Sequence, residues 1–133
     1  MAYVRLYDST SAGVGKGGNF IPEQPSDFIF TLEGNAFLLE VKSSDRYKCL
    51  TESVLRNVFS ENQIMGARLW KRAGSNAVCA FYSLITERFD FWMMEDITTA
   101  YLAPARQRKL TKKPGASSTN DAQDIVTAMR GLI

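Results

Sequence analysis

Two carboxylates and one ammonium group stand at the outer ends of two apolar segments near the start of the chain. Asp27 opens the segment DFIFTL, and Glu40 and Lys42 close the segment FLLEVK. Carboxylate oxygens are ligands that Mg²⁺ and Mn²⁺ prefer, and an ammonium group stabilises negative charge that develops on a phosphoryl group. A cation held in this way polarises a phosphodiester and lowers the pKa of a water molecule in contact with it. These residue types therefore indicate metal-dependent hydrolysis of phosphodiesters.

The two segments are predicted to pair as a hairpin across Gly34-Asn35, a frequent two-residue turn. In that register Asp27 lies opposite Lys42, and Ile29 lies opposite Glu40. Because side chains alternate between the faces of a strand, both acids and the lysine share one face. The opposite face is predicted to be the core side and carries Phe28, Phe30, Leu32, Phe37, Leu39 and Val41. Two carboxylates this close repel each other, and a divalent cation relieves the repulsion.

An ordinary surface salt bridge remains an alternative interpretation of these charges. An E-x-K triplet also occurs by chance, and an Asp–Lys pair across a solvated sheet face is common. The combination favours catalysis, because an acid follows Pro25, a turn comes next, and E-x-K ends a strand that is otherwise apolar.

The sequence contains no histidine, and this excludes several classes of enzyme. Ser-His-Asp and Cys-His nucleophile systems, HExxH proteases and zinc deaminases all require one. Cys49 and Cys79 are too few and too far apart for a zinc site, and we expect buried thiols in a reducing, cytoplasmic setting. No apolar run approaches the roughly 18 residues of a membrane span, and MAYVRLYDST lacks the apolar core of a signal peptide. No contact with a membrane is expected.

The remaining elements are predicted to build residues 1–133 into one α/β domain. Further strands are predicted at Tyr3–Tyr7, Ala77–Leu84 and Arg88–Met94, helices at Ser60–Ala73, Glu95–Leu102 and about 121–133, and a basic linker at about 103–120. This order predicts a mixed β-sheet flanked by helices, in which the helix Ser60–Ala73 connects two strands and packs on the sheet.

The helix Ser60–Ala73 carries both an N-terminal cap and an apolar stripe. Ser60 and Gln63 have the spacing of a capping box, in which the glutamine side chain bonds back to the backbone. The apolar stripe that packs on the sheet is predicted to consist of Ile64, Met65, Leu69 and Ala73.

Basic residues are clustered at two places, and a further lysine lies in a glycine-rich loop, although the net charge is only +2. Candidate DNA-binding residues are Lys16 in the loop Ser9–Asn19, then Arg68, Lys71 and Arg72, and finally Arg106, Arg108, Lys109, Lys112 and Lys113. Such groups suit a phosphate backbone, because each neutralised phosphate releases counterion. A solvated face and a loose linker are the alternative interpretations.

Taken in order, these motifs resemble those of the PD-(D/E)xK nucleases, and among them the RecU-type Holliday junction resolvases. The similar segments are QPSDFIF, GNAFLLEVKSS, FSENQ and FYSLITERFDFWMMEDI. The resemblance extends from about Pro25 to Ile97, with VRR-type nucleases as the second choice. It implies a restriction-endonuclease-like fold.

The resemblance also implies roles for individual residues. Asp27, Glu40 and the backbone carbonyl of Val41 are expected to bind Mg²⁺, for which Mn²⁺ can substitute, with no organic cofactor. Lys42 is expected to be the catalytic lysine, and Gln63 to support the site. The chain departs from the family where an N-terminal helix with a further acid is usual. Glu23 and Glu33 are the acids that could replace it.

The function implied by the resemblance is a structure-specific DNA endonuclease, a hydrolase that resolves Holliday junctions in DNA recombination and repair. We expect branched DNA as substrate and a homodimer, because two symmetric cuts require two active sites. The setting would be the cytoplasm of a bacterial cell or of a phage-infected host. Two alternatives remain: a nuclease for flaps, ends or restriction-like targets, and a DNA-binding module of the same fold that does not cleave.

Overall fold

A six-stranded mixed sheet with helices on both faces forms the centre of the molecule. The computed structural model describes residues 2–5, 27–110, 114–117 and 122–132. The strands are β1 Ala2–Arg5, β2 Phe28–Leu32, β3 Asn35–Ser44, β4 Asn76–Ser83, β5 Arg88–Met93 and β6 Gly115–Ser117. The helices are α1 Leu55–Val58, α2 Glu61–Arg72, α3 Met94–Leu102 and α4 Ala122–Leu132, with 3-10 turns at Glu52–Val54 and Ala105–Gln107.

The strands follow one another across the sheet in the order of the sequence. Neighbouring strands are antiparallel, except that β3 and β4 are parallel. A parallel pair needs a crossover connection, and α2 supplies it. The predicted α/β fold class, a mixed β-sheet flanked by helices, is confirmed.

The turn of the β2–β3 hairpin lies one residue earlier than the sequence predicted. Leu32 pairs with Asn35, so the turn residues are Glu33 and Gly34, with φ angles of 53° and 81°. A tight hairpin turn of this kind requires positive φ at both central positions, which glycine adopts without strain. The predicted pairing was therefore wrong: Ile29 lies opposite Leu38, not opposite Glu40. Moving the turn by one residue shifts the pairing partner of each β2 residue by two residues along β3. Each side chain therefore keeps its predicted face.

Both faces of the sheet are covered, whereas the sequence predicted one core face. The cluster on the face of Glu40 includes Leu38, Ile64, Phe81 and Ile97, all almost fully buried. The cluster on the other face includes Phe30, Phe37, Phe91 and Met129. The helices α2 and α3 cover the first face, and α4 covers the second. The face that carries the charged residues therefore also holds a core.

The cap and the length of α2 agree with the prediction, but its buried stripe agrees only at Ile64. Ser60 is the N-cap, Ala73 is the C-cap, and Gly74 follows with a φ of 94°. The buried residues are Ile64 and Ala67. Met65 and Leu69 are exposed instead, with 37% and 65% of their surface accessible. The helix thus turns its small Ala67 toward its neighbours.

Part of the segment that the sequence predicted as a linker has regular structure. Residues Ala105–Gln107 form a 3-10 turn, and the Leu110 amide donates to Glu52 Oε1 at 2.8 Å. Strand β6 pairs with β5, and residues 111–113 and 118–121 lie outside the described residues.

Cys79 is buried as expected, whereas Cys49 is exposed. Within the described parts of the chain, no helix is long and apolar enough to cross a membrane.

Candidate active site

Asp27 lies where the pairing between β2 and β3 ends. The last pair of the β2–β3 ladder is Phe28 with Leu39, and Asp27 directly precedes it in the chain. Its Oδ2 accepts a hydrogen bond from the backbone amide of Val41 at 2.8 Å. The amide and the carbonyl of one strand residue point to the same side, so the Val41 carbonyl also faces Asp27. The carboxylate of Asp27 and the backbone carbonyl of Val41 therefore lie at the same edge of β3.

Glu40 is a carboxylate in the core-facing layer of the sheet, with only 5% of its surface exposed. Its Oε1 lies 3.0 Å from Lys42 Nζ and 2.7 Å from Gln63 Nε2. A buried carboxylate needs such partners, because removing a charge from water is costly. The side chain is therefore held in one position from two directions.

The ammonium group of Lys42 is fixed by three neighbours. Besides Glu40, its Nζ donates to Gln63 Oε1 at 3.1 Å and lies 5.7 Å from the centre of the Phe59 ring. An ammonium over an aromatic face is stabilised by the electrons of the ring. The sequence prediction missed Phe59, whose one signal is its position directly before the N-cap of α2.

Gln63 both completes the capping box of α2 and is hydrogen-bonded to Glu40 and Lys42. Its backbone amide donates to Ser60 Oγ at 3.2 Å, and its Oε1 accepts from the Ser60 amide at 3.0 Å. The same side chain touches Glu40 and Lys42. The two interpretations made from the sequence, capping box and support of the charged residues, are therefore compatible in geometry.

A thiol lies beside the carboxylates on the neighbouring strand. Cys79 pairs with Glu40 across β3 and β4 and is fully buried. Burial raises its pKa far above the usual range, the charges of Glu40 and Asp27 raise it further, and Lys42 opposes them. The thiol is thus protonated at neutral pH, which makes it a poor nucleophile and a poor metal ligand. The sequence did not indicate this neighbour.

The donor atoms fit a hard divalent cation. Among the described residues, no group of three or more histidine, cysteine, aspartate or glutamate side chains could hold a metal ion. Asp27, Glu40 and the Val41 carbonyl offer oxygen atoms only, and Mg²⁺ is commonly bound by one or two carboxylates with water completing its shell.

Of the two acids considered as additional ligands, Glu33 does not join this site. Glu33 lies in the hairpin turn at the other end of β2 and forms an ion pair with Arg130 at 2.8 Å. Glu23 lies outside the described residues. The described acids of the site are therefore Asp27 and Glu40.

Three of the candidate DNA-binding residues line a cleft between α2 and α3. The cleft has a volume of about 220 Å³ and is bordered by Arg68, Lys71 and Arg72 together with Glu95 and Thr98. Lys71 Nζ lies 3.5 Å from Glu95 Oε2. At 1.5 Å per residue, Lys71 is about 12 Å along the helix axis from Gln63. The cleft is thus separate from the carboxylates, but its basic residues lie on α2, the helix that also carries Gln63.

The remaining basic residues do not form one described cluster. Arg108 is partly buried and donates to the carbonyl oxygen of Ala103 at 3.3 Å, while Arg106 and Lys109 are exposed. Lys16, Lys112 and Lys113 lie outside the described residues. Within the predicted basic linker, Ala105–Gln107 form a 3-10 turn, and the Leu110 amide donates to Glu52 in the 3-10 turn Glu52–Val54.

Comparison with solved structures finds chains of similar fold. The chain is similar to Hjc of Archaeoglobus fulgidus, a Holliday junction resolvase from an archaeal hyperthermophile. The TM-score is 0.46 and the sequence identity 14%, over 92% of this chain and 75% of that chain. At these values the similarity carries no information about the activity of this chain. No family model and no curated protein matches the sequence.

Proposed function

We propose that this protein is a metal-dependent endonuclease that hydrolyses phosphodiesters in DNA. The observation that carries the proposal is the convergence of Asp27, Glu40 and Lys42 where the β2–β3 pairing ends, with Lys42 Nζ 3.0 Å from Glu40 Oε1. Asp27, Glu40 and the Val41 carbonyl would hold Mg²⁺ or Mn²⁺. When bound, the cation polarises the scissile phosphate and lowers the pKa of a water molecule beside it.

Lys42 supplies the positive charge that does not depend on the cation. Gln63 and Phe59 fix its ammonium group beside the carboxylates, so the group need not reorganise during the reaction. A fixed charge of this kind stabilises negative charge that develops on the phosphoryl oxygens. Gln63, which is neutral, acts through Glu40 and Lys42.

Basic residues away from the site are proposed to hold the DNA backbone. Arg68, Lys71 and Arg72 border the α2–α3 cleft and present their charges on the helix that carries Gln63. Arg106, Arg108, Lys109, Lys112, Lys113 and Lys16 are the further candidates. Contacts of this type position DNA without selecting a sequence.

The preferred substrate is proposed to be a four-way junction, cut by a homodimer. This finer proposal rests on the resemblance of the motifs and on the need for two sites in two symmetric cuts. Helix α4 packs Met129 into the core of its own chain, so this side chain is not available to a dimer interface. A nuclease for flaps, ends or restriction-like targets has the same chemistry and remains the alternative.

A cleavage assay on a panel of DNA shapes tests these proposals together. Four-way junctions, flaps and linear duplexes of the same sequence would be incubated with Mg²⁺, with Mn²⁺ and with a chelator. We expect symmetric cuts in the junction, and cleavage only when a divalent cation is present. Cleavage of flaps or linear DNA in preference to junctions would overturn the resolvase proposal. Binding without cleavage of any substrate would favour the inactive DNA-binding module.

A further inference from the structure

The carboxamide of Gln63 has a single orientation that satisfies all of its neighbours. Its Oε1 accepts from the Ser60 amide at 3.0 Å and from Lys42 Nζ at 3.1 Å, while its Nε2 donates to Glu40 Oε1 at 2.7 Å. A carboxamide turned by 180° would set its NH₂ group against two donors and its oxygen against a carboxylate. The orientation therefore decides whether Gln63 links Lys42 to Glu40 or repels both.

One of the three neighbours takes no part in the chemistry. Under the proposed function, Glu40 receives the cation and Lys42 receives the phosphate, so both interactions with Gln63 change when substrate binds. The Ser60 amide belongs to the backbone at the start of α2 and has no other partner within the helix. The hydrogen bond from the Ser60 amide to Gln63 therefore persists while the interactions of Gln63 with Lys42 and Glu40 change.

We propose that Ser60, through its backbone N–H, is a positioning residue that keeps the Gln63 carboxamide oriented and thereby holds Lys42 beside Glu40. The helix cap and the charged cluster are then one unit. This inference rests on the proposed function where it concerns catalysis, but the tethering of Lys42 is a property of the protein without substrate.

The backbone geometry at Ser60 tolerates proline, so comparing a proline with an alanine variant isolates the effect of losing the N–H group. Ser60 has φ −81° and ψ 158°, and Phe59 before it is extended at φ −112° and ψ 138°. The φ angle of Ser60 is close to the range that proline adopts. The residue before a proline must be extended, as Phe59 is. Ser60→Pro removes both the N–H and the hydroxyl, Ser60→Ala removes the hydroxyl alone, and Ser60→Thr keeps both.

The first measurement is the reaction of Lys42 with an amine-acylating reagent, followed by mass spectrometry on the protein without metal or DNA. We expect Lys42 to react several times faster in Ser60→Pro than in Ser60→Ala, and at the wild-type rate in Ser60→Thr. The exposed Lys109 is the internal control and should react equally in all four proteins. Melting curves establish that each variant is folded at the temperature of the reaction. Equal reactivity of Lys42 in Ser60→Pro and Ser60→Ala would overturn the inference.

The second measurement is single-turnover cleavage at saturating Mg²⁺ and DNA. The loss of positioning should lower the rate of Ser60→Pro by on the order of tenfold to a hundredfold relative to Ser60→Ala, with the DNA affinity unchanged. Ser60→Thr should restore the rate. A wild-type protein that cleaves no DNA would refute the proposed function, while the labelling result would still decide the tethering of Lys42. Equal cleavage by the proline and alanine variants would contradict a role in catalysis.

Discussion

Lys42 is the side chain for which the catalytic and the salt-bridge interpretations predict different results. We expect Lys42→Ala to slow cleavage by roughly 10²–10³-fold, because it removes a charge that stabilises the transition state. The variant should also lose about 1–3 kcal/mol of folding free energy, since Glu40 stays buried with one partner fewer. Single-turnover rates, measured well below the melting temperature of the variant, separate the two effects. A loss of stability with cleavage unchanged would support the plain salt bridge.

Asp90 gives a prediction about stability and pH that does not involve the candidate site. Burial raises the pKa of this carboxyl group, and Arg88 partly opposes the shift. The folded protein therefore binds the proton more tightly than the unfolded chain, so stability is lost as the pH rises through the pKa of Asp90. Asp90→Asn removes this dependence.

The variant Asp90→Asn should consequently melt at a higher temperature than the wild type at neutral pH. At a pH below both pKa values of the carboxyl group, the two melting temperatures should converge. Because the group is half exposed, the gain should be small. Melting curves between acid and neutral pH test this, and a constant difference across the range would show that the carboxyl group is not the cause.

The residues of the candidate site could be placed from the sequence only in part. Strand alternation predicted that Glu40 and Lys42 share a face, and this survives the corrected register, because a shift of two residues preserves faces. Asp27, which was predicted on the same face, lies just before the first paired residue of β2. The contact of Lys42 with the Phe59 ring could not be predicted. It depends on how α1 and α2 meet above the sheet, which no local pattern determines.

At the scale of elements, the start of α2 was predictable and its buried side was not. Capping chemistry is local, so Ser60 and Gln63 mark the helix end in the sequence itself. Apolar residues occur on two sides of this helix, and periodicity alone could not decide which side packs inward. The choice of Ala67 over Leu69 reflects packing against neighbouring elements rather than hydrophobicity.

The packing of α4 on β6 depends on the absence of a side chain at Gly115. A Cβ atom there would lie 2.9 Å from the backbone oxygen of Ala128 and 3.3 Å from Leu132 Cγ. We therefore expect Gly115→Ala to destabilise the protein by roughly 1–3 kcal/mol, because α4 must move away from the strand.

Gly131 is the matched control for this prediction, since a Cβ atom there meets nothing within 4 Å. Gly131→Ala lies in α4 and should stabilise the protein slightly, by about 0.5 kcal/mol. Denaturant unfolding of both variants measures the two effects. If Gly115→Ala is as stable as the wild type, then α4 does not pack on β6 as the structure shows.

At the scale of the whole molecule, the basic residues proposed to bind phosphates form two groups along the chain. The cleft residues Arg68, Lys71 and Arg72 and the tail residues Arg106, Arg108, Lys109, Lys112 and Lys113 are separate candidates for binding phosphates. Net charge could not distinguish them from solvated surface, and their positions relative to DNA depend on tertiary structure.

The salt dependence of DNA binding, measured in chelator to prevent cleavage, distinguishes the two groups. The slope of log K against log salt should flatten by roughly 0.9 for each phosphate that the protein no longer neutralises. Replacing the three cleft residues by neutral ones should therefore reduce the slope by up to roughly 2.7, for every DNA shape alike. Neutralising the five tail residues is the parallel experiment. A group whose removal leaves the slope unchanged does not bind the DNA backbone.

Above all, we propose that the carboxylates at the end of the β2–β3 pairing would bind a divalent cation that DNA hydrolysis requires. The most direct test is single-turnover cleavage by the wild type and by Glu40→Gln across a Mg²⁺ titration, with DNA binding measured in parallel. Glu40→Gln removes one negative charge with little change in shape. We expect the wild-type rate to rise with Mg²⁺ and vanish in chelator, and the variant to show no cleavage while it binds DNA at least as tightly. Cleavage by Glu40→Gln at the wild-type rate, or wild-type cleavage that persists in chelator, would contradict the claim.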